Sequence, residues 1–561
     1  MSQLTYTPID EIPKILEEVR RGFRSGKAKS IAYRKEQIAQ VGYLLQDHAE
    51  RWKEAFLADL GRPPSETELL DLSPVFSEVR LAYDNVEKWA KPQRAPFSLN
   101  WFAMSPTTKA EPKGVVLIIA PFNFPLFLLL SPLVSAIAGG NAAVLKPSEM
   151  TPVASALLAE LVPQYLDPEL YRVINGGVPE TTKAGIPIFQ REIIVLELQW
   201  DHILYTGWFM PVPDAAPYSK VLSSIGNGRI ARIVSAAAAK HLTPVTTELG
   251  GKNPVVIDPK CDLKTTTRRI LWGKTSNAGQ ICLSPDYVLV PKDFQDTFVN
   301  AMKETFDAFY PDGPAKSDSL SRIVTEAHTN RIKRLLDETK GTVVFGGEVD
   351  VSKKYIAPTL VKDVAADDSL MSEEIFGPVL AVVPVKDVDE AIEFINERQE
   401  TCLEACDNKF ISKGIFRRSF SIMWCNVHLV FDNTESGSAV ANEVVIQAGA
   451  YGLPVGGIGP SGSGYYTGKH AFDQFTHVRT SLNNPSWVDT IAFGGRFPPY
   501  RPGAMKMAKS VLFPPLPPRP GKKAAASASK RWGFWLLVAL VGAASALLTK
   551  PGRRAVAQLK L

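Results

Sequence analysis

Cys282 ends the segment Ser276-Asn277-Ala278-Gly279-Gln280-Ile281-Cys282, in which small and polar residues run up to a thiol. A thiolate is the most nucleophilic side chain near neutral pH and adds readily to carbonyl carbon. The residues before it suit a backbone turn that exposes the sulfur. Buried, inert filler is the competing reading for any lone cysteine. Glu248 precedes Gly250-Gly251, which let the backbone turn sharply and a ligand approach closely. It reads as a carboxylate at a ligand site, or else as an exposed helix-end residue before a glycine stop. A third reading comes from Gly226-Asn227-Gly228-Arg229-Ile230-Ala231, which matches the dinucleotide fingerprint with Glu248 20 residues after Gly228. Asn123 lies in Pro121-Phe122-Asn123-Phe124-Pro125, where its amide could donate to an oxyanion. Lys146 and Glu149 in Lys146-Pro147-Ser148-Glu149 could hold ribose hydroxyls, and the carboxylate would repel a 2′-phosphate.

These residues need elements to place them. The first hundred residues read as helices, with Ile15, Leu16, Val19 and Phe23 on one face and Ile38, Val41, Leu44 and Leu45 on another. Val115–Ala120 is a short apolar run ending at Pro121, a helix-like stretch covers Leu126–Ala138, and Ala142–Leu145 is again apolar. Strand, helix, strand predicts a βαβ unit and a doubly wound parallel sheet. A second α/β region begins at the strand Pro254–Ile257, followed by a helix over Leu263–Ser276. A cleft between two such regions suits a ligand.

Of the 561 residues, 63 are Lys or Arg and 58 Asp or Glu. From Arg496 onward there are 13 bases and no acid, so the body before it carries 50 bases against 58 acids, or −8. An acidic body speaks against a nucleic-acid enzyme, and a basic tail suits an anionic surface. Five scattered cysteines and a polar start point to a reducing setting without a secretory signal. Cys402 and Cys406 are four apart, but no second pair completes a metal site. After the Pro-rich stretch Phe513–Pro520, residues 532–548 carry no charge and are flanked by Lys530, Arg531, Lys550, Arg553 and Arg554. This run of 17 residues predicts a membrane anchor at the short end of what spans a bilayer. The Pro-rich linker reads as a semi-rigid spacer.

In combination, Asn123, Lys146, Glu149, Glu248, Cys282, Glu374-Ile375-Phe376-Gly377-Pro378 and Gly456–Gly464 resemble the aldehyde dehydrogenase superfamily. Ala239–Val245, Ser436–Asn442 and the apolar C-terminus look most like its membrane-tethered fatty aldehyde branch. The resemblance implies a Rossmann-type cofactor domain with N-terminal helices at 1–249 and an α/β catalytic domain at 250–430. A segment closing the site and serving as an oligomerisation arm would follow at 431–495, then the linker 496–531 and a transmembrane helix at 532–548. It implies NAD-dependent oxidation of long-chain aldehydes through a Cys282 thioester, with NADP possible. Asn123 and the Cys282 backbone N–H would hold the oxyanion, and Glu248 would act as base. Lys146 and Glu149 would bind the adenine ribose, Asn227 would be a further cofactor-binding residue, Glu374 would bind the nicotinamide ribose, and Phe376 would pack near that ring. A homodimer is implied, C-terminally anchored with its body in the cytosol, foremost at the endoplasmic reticulum. The mitochondrial outer membrane, peroxisome and lipid droplet are alternatives.

Three stretches depart from the family pattern. Residues 184–195 and 208–226 are extra, and 397–430 shows no apolar strand ahead of Phe431. Apolar groups such as Ile186-Pro187-Ile188-Phe189 are unlike a tolerated surface loop, so intron-derived or frame-shifted sequence is the expectation. The second stretch falls at a helix N-terminus expected to face the pyrophosphate. A tethered protein that keeps the fold but is impaired in catalysis is therefore the competing reading.

Overall fold

The computed structural model describes residues 3–98, 101–176, 195–207, 228–400, 420–423, 427–450, 452–500 and 502–503. The N-terminal helices are α1 (Ile12–Arg24), α2 (Ile31–Asp47), α3 (Ala49–Leu60) and α4 (Ser73–Ala90). The periodic apolar residues expected to form their inner faces are buried, including Ile15, Leu16, Val19, Ile38, Val41, Leu44 and Leu45.

Five parallel strands follow: β1 (Val115–Ile119), β2 (Ala142–Lys146), β3 (Tyr171–Val173), β4 (His202–Gly207) and β5 (Val245–Leu249). Their spatial order is β3-β2-β1-β4-β5, the doubly wound arrangement in which the first strand lies centrally. Register runs Val115↔Ala142, Ala143↔Tyr171, Val116↔His202 and Ile203↔Val245. The crossovers are α5 (Phe127–Gly139), α6 (Pro152–Tyr165) and α7 (Gly228–Ala239). Every residue of α5 is buried, as its all-round apolar sequence requires.

The second sheet is built on β6 (Asn253–Ile257), helix α8 (Leu263–Thr275), β7 (Pro285–Pro291), β8 (Thr342–Phe345), β9 (Thr359–Lys362) and β10 (Val379–Val385). It ends in β11 (Phe420–Met423) and β12 (Ala439–Ala441). The order is β8-β9-β10-β7-β6-β11-β12, parallel except for β8. Here the sequence expectation is corrected: a strand does precede Phe431. Residues 420–423 pair with β6 through Ser421↔Val255 and with β12 through Ser421↔Val440. Four residues are too few to stand out as an apolar run, and the neighbouring strands supply the ladder on both edges. The short strand β13 (Gly462–Ser463) then returns to the first sheet and pairs antiparallel with β5, Gly462 opposite Glu248.

The described residues of 3–94 and 107–481 belong to one compact unit. The described residues of 95–106 and 482–503 form a second unit. Within the second unit Asn483 N–H donates to the Met104 carbonyl at 2.8 Å, and Met104, Val488 and Phe493 make a small core. Among the described residues no helix is long and apolar enough to cross a membrane. The run 532–548, most of the linker, and residues 184–194 and 208–226 lie outside the described residues.

Candidate active site

Cys282 follows α8 through a turn over Ser276–Gly279 in which Asn277, Ala278 and Gly279 all take left-handed backbone, with φ of 51°, 52° and 73°. Only Gly279 could occupy its place, since a Cβ there would lie 2.3 Å from the Gly377 carbonyl oxygen. The turn expected from the sequence is present, and Cys282 is half-buried. Asn253 fixes the far side of the turn, its amide donating to the Cys282 carbonyl at 2.9 Å and the Ser284 carbonyl at 3.0 Å.

Glu248 lies on β5 and is fully buried, which replaces the helix-end reading with a strand-end one. Val245-Thr246-Thr247 is β-branched, the side-chain type that favours a strand. The loop from Gly456 to Gly464 packs against this strand. A Cβ on Gly456 would lie 2.4 Å from the Gly464 carbonyl oxygen and 3.3 Å from Glu248 Oε1, and one on Gly462 would lie 2.2 Å from the Thr247 carbonyl oxygen. The glycines are needed because backbone meets backbone there. The fingerprint reading of Glu248 also loses its geometry. Its helix, α7, connects the fourth and fifth strands, whereas the fingerprint belongs to the turn after the first strand, with its acid beyond the second. Glu149 stands beyond the second strand, 2.9 Å from Lys146 Nζ. Gly226 and Asn227 lie outside the described residues.

Asn123, in the turn between β1 and α5, is buried and donates through Nδ2 to the Gln280 carbonyl at 3.0 Å. Asn123, Glu248, Cys282 and Phe376 line one pocket together with Pro121, Leu128, Thr206, Gly207, Leu249 and Gly250. Four of the eight residues singled out from the sequence thus meet in one place. Lys146 and Glu149 sit apart, at the end of β2. Phe376 has a left-handed φ of 48° and meets Phe122 edge-on at 6.0 Å between ring centroids.

Glu374 is held by residues that the sequence reading missed. Arg331 donates to the Glu373 carboxylate at 3.0 Å, the Glu374 carbonyl at 3.2 Å and the Ile375 carbonyl. Lys252 Nζ donates to the carbonyls of Leu370 at 2.5 Å and Glu373 at 3.0 Å. Burial brings the Lys252 amine down to about 8. Arg62 was also missed, and it reaches both Asn123 and the Cys282 turn. Its only sequence signal is a cation set between Gly61 and Pro63.

The Aldehyde dehydrogenase family model matches residues 3–186 and 215–481. The chain belongs to the aldehyde dehydrogenase family, and it is an NAD(P)-dependent aldehyde dehydrogenase. It is 37% identical over 495 residues to mouse Aldehyde dehydrogenase family 3 member A2, covering 88% of this chain and 93% of that one. It is 36% identical over 505 residues to member H1 of the same family from Arabidopsis thaliana, covering 90% and 95%. The substrate-bound state of Staphylococcus aureus AldH superposes with a TM-score of 0.77 at 30% identity, covering 89% of this chain and 99% of that one. The family match passes over residues 187–214, which overlap both extra stretches.

A nicotinamide cofactor fits the donor set at the end of β2. An ammonium and a carboxylate 2.9 Å apart offer a donor and an acceptor to a ribose diol.

Proposed function

We propose that the protein oxidises long-chain aldehydes to carboxylic acids with NAD, through a thioester on Cys282. The observation that carries the chemistry is the meeting of Cys282, Asn123 and Glu248 in one pocket, although the outer two lie 159 positions apart. The Cys282 thiolate adds to the aldehyde carbon, forming the C–S bond as the carbonyl electron pair moves onto oxygen. The Asn123 amide and the Cys282 backbone N–H hold that oxyanion. Held by Lys146, Glu149 and Glu374, a nicotinamide cofactor would supply the hydride acceptor that takes this carbon to the oxidation level of a thioester on Cys282. Glu248 takes a proton from water as the water attacks the thioester, and the thiolate departs with the C–S electron pair. Lys146, Glu149, Glu374 and Asn227 are assigned to the cofactor and Phe376 to the nicotinamide side of the pocket.

The long-chain substrate and the membrane follow from the uncharged run 532–548 and its basic flanks, because long alkyl aldehydes partition into lipid. A homodimer tethered at the cytosolic face of the endoplasmic reticulum completes the proposal. The test follows NADH absorbance with hexadecanal and each nicotinamide cofactor. NADH formation that disappears in Cys282→Ala is the expected result. A well-folded chain that binds no NAD and forms no NADH would favour the impaired reading instead, in keeping with the interrupted family match.

A further inference from the structure

The Arg62 side chain is fully buried and spends each of its nitrogens on a different partner. Nε donates to Asn277 Oδ1 at 3.1 Å, Nη1 pairs with the Asp71 carboxylate, and Nη2 donates to the Asn123 carbonyl. Asn277 then reaches the Asn123 carbonyl at 3.0 Å and the Gln280 carbonyl at 3.1 Å through Nδ2. Asn123 closes the ring by donating to the same Gln280 carbonyl. Asp71 is itself held by the backbone N–H groups of Leu126 and Phe127, at 3.2 and 2.9 Å, where α5 begins.

We propose that Arg62 is a positioning residue for the oxyanion site, fixing the Asn123 loop against the Cys282 turn. This rests on the reading that Cys282 is the nucleophile and Asn123 an oxyanion donor. The two oxyanion donors come from different loops, so their spacing depends on whatever ties those loops together. Arg62 and Asn277 make that tie: one guanidinium fork holds a carbonyl on the first loop and an amide on the second. The left-handed backbone at Asn277 needs such a brace, since non-glycine residues adopt it at a cost. A lysine in place of Arg62 would keep its charge beside Asp71. It has one compact ammonium and cannot span Asn277 and Asn123 in the fixed geometry of a guanidinium.

Arg62→Lys is expected to lower kcat with hexadecanal about 100-fold, the scale of losing one oxyanion donor. The Kd for NAD by fluorescence and the rate of Cys282 alkylation by iodoacetamide should stay within about twofold of the parent. This split separates a misplaced oxyanion site from a loosened structure. Should Arg62→Lys fail to fold, Asn277→Gly replaces it, because glycine takes the left-handed backbone and only the amide is lost. Its expected kcat loss is of the same order. The proposal is overturned by parental kcat in the folded variant, or by NAD binding and alkylation falling as far as kcat. NADH formation persisting in Cys282→Ala would instead overturn the underlying reading.

Discussion

The pocket around Cys282 and the Lys146–Glu149 pair are held in opposite ways. At the pocket, hydrogen bonds join residues 157, 154 and 215 positions apart, and Arg62, Asn123, Asn277 and Gln280 are all buried. At the end of β2, an ion pair joins residues three apart, with Glu149 partly open to solvent. Bond-making groups need their spacing fixed to fractions of an ångström, and only ties between distant parts of the chain can do this. On the proposed assignment, a ribose diol asks for less, so a local pair on the end of a rigid strand is enough. Damage at the pocket should therefore appear in rate, and damage at the pair in cofactor affinity.

The sharpest break in that contrast comes from Glu248→Gln. Its steady-state turnover should fall about 10²–10⁴-fold, as expected for loss of a general base. A single burst of NADH in stopped flow should persist, because acylation does not need the base. A variant that only raised the KM for NAD would move Glu248 to the cofactor side of the comparison. Glu149→Gln is expected to raise the KM for NAD about tenfold with kcat unchanged, in line with losing a charged hydrogen bond. NADP should be penalised less than in the parent, because the repelling carboxylate is gone.

The effect with least bearing on the reaction concerns Glu78, which accepts the Gly468 N–H at 2.9 Å and the Ser135 hydroxyl at 3.2 Å. Burial raises its carboxyl from 4.5 to about 7. The folded state therefore binds the proton more tightly than the unfolded chain does. Its contribution to stability is full below about pH 4.5 and is lost as pH rises towards 7. Glu78→Gln should flatten the fall in Tm across that window, worth at most about 3 kcal/mol. An unchanged slope would remove Glu78 from the account.

What could be read in the sequence follows the same division. Val115–Ile119 and Ala142–Lys146 announce themselves as strands because they are buried on both faces and so almost continuously apolar. The turn before Cys282 was legible from its small residues, and the place of Lys146 and Glu149 at a strand end from the apolar run before them. Arg62 was not legible, since nothing local marks a cation whose partners lie 9, 61 and 215 residues away. Glu248 was half legible: the glycines after it mark a turn, but the β-branched strand before it is too polar to stand out as an apolar run. The strand Phe420–Met423 was missed because its neighbours, rather than its own composition, make it one.

The pairing of Gly462 with Glu248 bears on how the chain is made. During synthesis the edge of β5 waits, uncovered, while more than 200 further residues leave the ribosome. Until then its backbone amides are open to any other extended chain. A release of the nascent polypeptide shortly before Gly462 would leave that edge permanently bare, a product prone to clumping rather than a smaller enzyme.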